Sequence, residues 1–148
     1  MTLYLGSKKV SPTKTITKEV PSMKAFFDAG GKCAYSTATS FEDIIQYSDT
    51  SKVTNMYSMF YYCSNLTTIP QLDTSNVTNM FTMFYVCSNL TSIPQLNTNK
   101  VKDMNSMFYY CSKLTSLDVC NFNTSNVTSM TCMFYHCENL TSLDVSNF

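Results

Sequence analysis

One pattern of about 24 residues is written four times between residue 50 and residue 148 of this 148-residue chain. The copies begin at Thr50, Thr74, Thr98 and Thr124, which gives periods of 24, 24 and 26 residues. Tandem repeats of this length fold by stacking, because one copy cannot bury its apolar face alone. The repeat therefore predicts a short solenoid in which neighbouring copies cover one another.

A weaker copy of the pattern precedes the four regular ones. The segment TKEVPSMKAFF, which begins at Thr17, aligns in register with TSKVTNMYSMF, which begins at Thr50. We interpret residues 17–49 as a degenerate capping repeat and residues 1–16 as a lead-in arm that contains a strand. The predicted regular repeats are 50–73, 74–97, 98–123 and 124–148.

The apolar positions of each repeat predict one short helix and one short strand. In the first regular repeat they are Val53, Met56, Met59, Phe60, Cys63, Leu66 and Ile69. Spacings of three and four residues are typical of one helix face, whereas apolar and polar residues alternate in the segment LDV at 143–145, as in a strand. The predicted fold class is α/β: a short leucine-rich-repeat solenoid of about five rungs, with one short helix and one short parallel strand per 24–26 residues.

Charge and hydropathy exclude several classes of partner. The formal net charge is zero, the ten positive side chains are all lysine, and they are scattered along the sequence. A surface that reads phosphates needs clustered Lys and Arg, so we predict no nucleic acid partner. No apolar run reaches the roughly 18 residues of a membrane span, and residues 1–20 lack the apolar core of a signal peptide. We therefore predict no membrane insertion and no signal peptide in the chain.

The repeated motifs resemble a known family. TSNVTNM and MFxxCxxL are similar to the BspA-like leucine-rich repeat surface proteins, over roughly residues 17–148. This resemblance implies a solenoid with a role in surface adhesion or interaction and without catalytic residues. Separately, LYLGSKKVSPTKTI near the N-terminus resembles the lead-ins of phage tail and tail-fibre proteins. That second resemblance implies a protein carried on a virion, which leaves the cell by lysis and needs no signal.

Two surface columns are the candidate binding sites. The first holds one tyrosine per repeat and points away from the apolar face of the predicted helix: Tyr61, Tyr85, Tyr109 and Tyr135. These rings either pack on one another and stiffen the solenoid or bind sugars or a protein partner. The second column lies on the predicted strand face: Thr68, Ser92, Ser116, Ser142, Asp118 and Asp144. It either makes polar contacts, as with glycans, or is merely solvated.

The nucleophilic and metal-binding residue types form no catalytic arrangement. One repeat position is always cysteine: Cys63, Cys87, Cys111 and Cys137. We interpret it as a column of small buried side chains, although a coil spacing of about 5 Å leaves disulfide pairing open. A straight column does not converge on a metal ion, and the single His136 lacks the partners of a triad. We predict no enzyme, no metal site and no cofactor.

These features together favour a non-enzymatic binding solenoid on a phage tail or virion. Its partner would be a surface glycan or protein of a bacterial cell, and its location the virion or an extracellular surface. The alternatives are a fragment of a bacterial cell-surface adhesin and a purely structural spacer. Because the regular pattern ends at Phe148 without a polar cap, we also expect self-association through the repeat that begins at Thr124.

Overall fold

A computed structural model describes residues 3–5, 8–10, 50–69 and 71–148. The capping repeat predicted at 17–49 lies outside the described residues, as does most of the predicted lead-in arm. Within that arm, strand β1 (Leu3–Leu5) pairs antiparallel with strand β2 (Lys8–Val10), with Leu3 opposite Val10.

Four coils stack in parallel from residue 50 onward, and backbone hydrogen bonds join each coil to the next. The N–H of Met56 donates to the carbonyl of Asn79 at 2.9 Å, and the N–H of Phe60 donates to the carbonyl of Met83 at 2.8 Å. Isolated parallel bridges follow the same line across all four coils: Asn55–Asn79, Asn79–Asp103 and Asp103–Ser129. Equivalent residues of successive repeats therefore lie one above the other.

The helix predicted for each repeat is wrong. None of the described residues is helical, and none therefore belongs to a helix that could cross a membrane. The N–H of Met59 bonds to the Met56 carbonyl at 3.2 Å and the N–H of Cys63 to the Phe60 carbonyl at 3.1 Å, whereas the N–H of Phe60 bonds to the next coil. An α-helix needs every N–H to reach the carbonyl four residues earlier, so this alternation is incompatible with a helix.

Two residues in every coil have a left-handed backbone. The φ angle is 54° at Ser58 and 60° at Tyr62, each the third residue of a hydrogen-bonded turn. A positive φ at that place is the mark of a type II turn. The same two positions in the other coils have φ between 51° and 58°: Thr82, Val86, Ser106, Tyr110, Cys132 and His136. Consecutive turns keep the apolar spacing of three and four residues, which explains why the pattern imitated a helix.

The short parallel strand predicted for each repeat is also wrong. In residues 50–69 and 71–148 the backbone forms only isolated bridges, such as Ser116–Ser142, and no strand. Pro94 has no N–H with which to extend a ladder, and the Asp144 carboxylate accepts the N–H of Ser146 at 2.9 Å, which turns the chain. A stack of turn-built coils therefore replaces the predicted α/β leucine-rich-repeat solenoid.

The predicted core positions are confirmed. In the first coil they are at most 7% exposed: Val53, Met56, Met59, Phe60, Cys63, Leu66 and Ile69. One phenylalanine per coil stacks on the next at the centre, with ring centroids 5.3, 5.3 and 5.7 Å apart: Phe60, Phe84, Phe108 and Phe134. This phenylalanine column gives a rise of about 5 Å per coil, close to the separation of paired strands.

Asparagine and threonine side chains satisfy the backbone of the neighbouring coil. The Asn89 amide donates to the Ser64 carbonyl at 2.7 Å, and the Thr91 hydroxyl donates to the Thr67 carbonyl at 3.1 Å. Equivalent asparagine bonds recur at Asn139. In the part of the chain that the structure describes, no buried side-chain nitrogen or oxygen lacks a hydrogen-bond partner. Much of the Asn and Thr content therefore holds the stack together.

Candidate binding surfaces

The four predicted tyrosines form one continuous stack, which we call the tyrosine column. Ring centroids are 5.0 Å apart between Tyr61 and Tyr85, 4.6 Å between Tyr85 and Tyr109, and 4.9 Å between Tyr109 and Tyr135. Each tyrosine follows a residue of the phenylalanine column. The N–H of Tyr62 donates to the carbonyl of Tyr85 at 2.8 Å, which fixes the register of neighbouring rings.

Stacking decides which parts of these rings face solvent. Neighbouring tyrosines cover one another's ring faces, so the edges and hydroxyl groups are what the column presents. Loss of hydration raises the pKa of Tyr61 and Tyr109, and the charges of neighbouring tyrosines raise it further. These hydroxyls therefore stay protonated at neutral pH. The column presents a row of neutral hydrogen-bonding groups about one coil rise apart.

A second aromatic row, which was not predicted from the sequence, flanks the tyrosine column. Tyr110 stacks on His136 with ring centroids 4.3 Å apart, and Tyr62 lies 4.7 Å from Tyr61 in a tilted arrangement. The His136 Nδ1 lies 3.1 Å from the Glu138 carboxylate. The signal for this row was present in the doubled Tyr-Tyr of two repeats. Val86 interrupts the row in the second coil.

The predicted hydroxyl column lies on a different part of the coil. Thr68 is half-buried and Ser92, Ser116 and Ser142 are exposed. Ser116 and Ser142 form a parallel bridge. Among the described residues, no hydrogen bond or ring contact joins this column to the tyrosine column. The two candidate sites predicted from the sequence therefore share none of these contacts.

The two predicted aspartates shape turns beside the hydroxyl column. The Asp118 carboxylate accepts the backbone N–H of Cys120 at 3.1 Å, and Asp144 accepts that of Ser146 at 2.9 Å. Hydrogen bonds from Cys120 lower the pKa of Asp118, and those from Ser146 lower the pKa of Asp144. Both carboxylates are exposed and charged at neutral pH, and each holds the backbone of its own turn.

The cysteine column is a structural element. All its members are free thiols: Cys63, Cys87, Cys111 and Cys137. The thiol of Cys87 donates to the Phe60 carbonyl at 3.0 Å and that of Cys137 to the Phe108 carbonyl at 3.1 Å. Burial raises the pKa of Cys137 to about 11 and raises that of Cys111 as well. Among the described residues, no three His, Cys, Asp or Glu side chains are grouped so that they could hold a metal ion.

The structure also contains an open polar groove of 570 Å³, which was not predicted from the sequence. Gln71 and Asp73 line it from the first coil, Gln95 and Asn97 line it from the second, and Asn121 lines it from the third. These residues look like ordinary turn residues in the sequence. They become neighbours only because the repeats stack in register.

Comparison with known proteins places the chain in a family. A family described as "Mycoplasma protein of unknown function, DUF285" matches twice, over residues 12–92 and 64–148. Comparison with curated proteins and comparison with solved structures each give no match. The two matched segments overlap and together span residues 12–148, so that both contain regular repeats. The chain belongs to the DUF285 family.

Proposed function

We propose that this protein is a non-enzymatic binding module that contacts a glycan or protein on a bacterial surface, and that it is carried on a phage tail or virion. The resemblance of its TSNVTNM and MFxxCxxL motifs to BspA-like surface proteins supports the binding role. The resemblance of its first residues to phage tail lead-ins supports the carrier. The proposed location is accordingly the virion or an extracellular surface.

The observation that carries this proposal is the regular spacing of neutral polar groups. The tyrosine column repeats its hydroxyl at ring separations of 4.6 to 5.0 Å over four coils. Each ring is fixed by its stacked neighbours, so little side-chain entropy remains to be lost on binding. A partner with repeated hydrogen-bonding groups then gains several weak contacts at once.

A purely structural spacer is the second candidate, and one specific observation favours it. The tyrosine faces pack on one another, and stacked aromatic pairs contribute about 0.5–1.5 kcal/mol each. That stacking stiffens the coil whether or not a partner is present. The two candidates differ in the hydroxyl groups, which a spacer does not need.

The test is therefore the paired substitution Tyr85→Phe with Tyr109→Phe, which removes two hydroxyls and keeps the stacked rings. Each neutral hydrogen bond contributes about 0.5–1.5 kcal/mol, so we expect binding of labelled protein to washed bacterial cells to weaken roughly 5- to 150-fold. The matched control is Tyr57→Phe, because the equivalent residue of the next coil is already Phe81 and stacks on Tyr57 at 5.3 Å.

Two outcomes contradict the proposal in different ways. Unchanged cell binding by the Tyr85→Phe, Tyr109→Phe protein removes the tyrosine column from the binding surface. Absence of binding by the parent protein to every species in a panel of Gram-positive and Gram-negative cells favours the spacer.

A further inference from the structure

The polar groove carries its own spatial repeat. Gln71 and Gln95 occupy the same position in successive coils, as do Asp73 and Asn97. The two coils that contribute these pairs are 5.3 Å apart along the stack, measured between the centroids of the Phe60 and Phe84 rings. Asn121 continues the lining into the third coil. The groove therefore presents similar side chains at regular intervals along the axis of the stack.

Several amide groups in the groove keep unused hydrogen-bonding capacity. The Gln71 Nε2 donates to the carbonyls of Leu72 and Gln95, at 3.1 and 2.8 Å, and its Oε1 accepts no hydrogen bond from the described residues. The Asn97 Oδ1 accepts the N–H of Asn99 at 3.0 Å, which leaves its Nδ2 without a partner in the described structure. The exposed Asn121 amide makes no side-chain hydrogen bond there. The groove thus offers donors and acceptors together.

The chemistry of the lining selects among classes of ligand. Leu72 and Leu96 are at most 3% exposed, so neither leucine opens a cavity for an anchoring side chain of a protein partner. No lysine lines it, and the Asp73 carboxylate does, which disfavours phosphates and other anions. Amides and hydroxyls without positive charge match a ligand made of neutral hydroxyl groups.

We propose that this groove binds a linear, neutral, β-1,4-linked oligosaccharide that lies along the axis of the stack. One coil rise is close to the length of one hexose in an extended chain, so successive sugars meet successive sets of amides. The three coils that line the groove accommodate three sugars. This inference rests on the proposed binding function and adds to it a site other than the tyrosine column, with its own ligand class.

The test uses cellotriose and tri-N-acetylchitotriose as probes, titrated calorimetrically into the full-length protein. At least one trisaccharide is expected to bind at least about tenfold more tightly than its monosaccharide, because each added sugar adds hydrogen bonds of about 1 kcal/mol. The β-1,4-linked trimer of glucuronic acid, which is an anionic trisaccharide with the same linkage, is expected to bind at least tenfold more weakly. No binding of either neutral trisaccharide, or equal binding of the anionic one, overturns the inference.

Two groove variants locate the site without disturbing the fold. Asn97→Asp keeps the oxygen that accepts the Asn99 N–H and copies Asp73 of the preceding coil, but it replaces the open Nδ2 donor. Asn121→Ala removes a side-chain amide that makes no hydrogen bond to any described residue. Each is expected to weaken trisaccharide binding roughly fivefold, whereas the control Asn105→Ala, outside the groove lining, leaves it unchanged. Unchanged binding by both groove variants refutes the assignment.

Binding of the parent protein to cells and to trisaccharides separates this inference from the proposed function. If the parent protein binds bacterial cells but neither trisaccharide, the groove inference fails and the binding function stands. If it binds a trisaccharide through Asn97 but binds no cells, the groove stands and the proposed surface role fails.

Discussion

Val86 provides a sharp test of the turn-built backbone. Its φ is 58°, its side chain is half-buried, and its N–H donates to the Tyr109 carbonyl at 2.7 Å. A left-handed backbone is a genuine outlier for a β-branched residue. We propose a comparison of Val86→Gly with Val86→Ala, since both variants lose the side-chain contacts beyond Cβ and both keep the backbone N–H.

The expected difference follows from the backbone conformation. A residue with a Cβ costs about 1–2 kcal/mol in the left-handed region, whereas glycine costs about 0.5–1 kcal/mol in additional chain entropy. The free energy of unfolding of Val86→Gly should therefore be about 0.5–1 kcal/mol higher than that of Val86→Ala. In a helix the order is reversed, because glycine is about 1 kcal/mol worse than alanine.

Urea unfolding of the two variants measures this difference. For a chain of this size, 1 kcal/mol corresponds to about 2–4 °C in Tm, so thermal unfolding provides a second reading. The matched control is Lys113, an exposed residue without positive φ, where the alanine variant should be the more stable. A Val86→Ala protein more stable than Val86→Gly would refute the left-handed turn.

Two further predictions concern the interior columns. Phe84→Ala removes a fully buried ring stacked on both sides and should lower the free energy of unfolding by about 3–5 kcal/mol. Phe134→Ala, in the half-buried last coil, should lower the free energy of unfolding clearly less. Equal losses for the two variants in urea unfolding would contradict the packing. Burial raises the pKa of Cys137 from 9.0 to about 11. The buried neutral thiol therefore contributes fully to stability below pH 9, and this contribution is lost as pH rises towards 11. Tm measured from pH 8 to 11 should fall less steeply in Cys137→Ala, and an unchanged slope would contradict the buried thiol.

The sequence was sufficient to predict which residues form the core. Identical apolar residues at one repeat position end up stacked, so Phe60, Met56 and Cys63 were identified without knowledge of the backbone path. The alternative of mutual tyrosine stacking was also available from the sequence. Any stack with one tyrosine per coil places Tyr85 between Tyr61 and Tyr109.

The backbone path was not predictable, because its signals are absent from the sequence. Left-handed residues are usually glycine or asparagine, but these positions hold residues such as Ser58, Tyr62, Thr82 and Val86. Bonds such as that from Ser58 to the Phe81 carbonyl, at 3.0 Å, hold them in that conformation, so the stack overrides local preference. The groove was missed for a related reason, since Gln71 and Asn97 are 26 residues apart.

The most direct test of the turn-built stack is an NMR measurement of scalar couplings through hydrogen bonds in isotopically labelled protein. The structure places the N–H of Phe84 against the Met107 carbonyl of the next coil at 2.9 Å. The predicted result is a coupling between the Phe84 amide nitrogen and the Met107 carbonyl carbon. A coupling from that nitrogen to the Met80 carbonyl, four residues earlier in the same coil, would show a helix and contradict the turn-built stack.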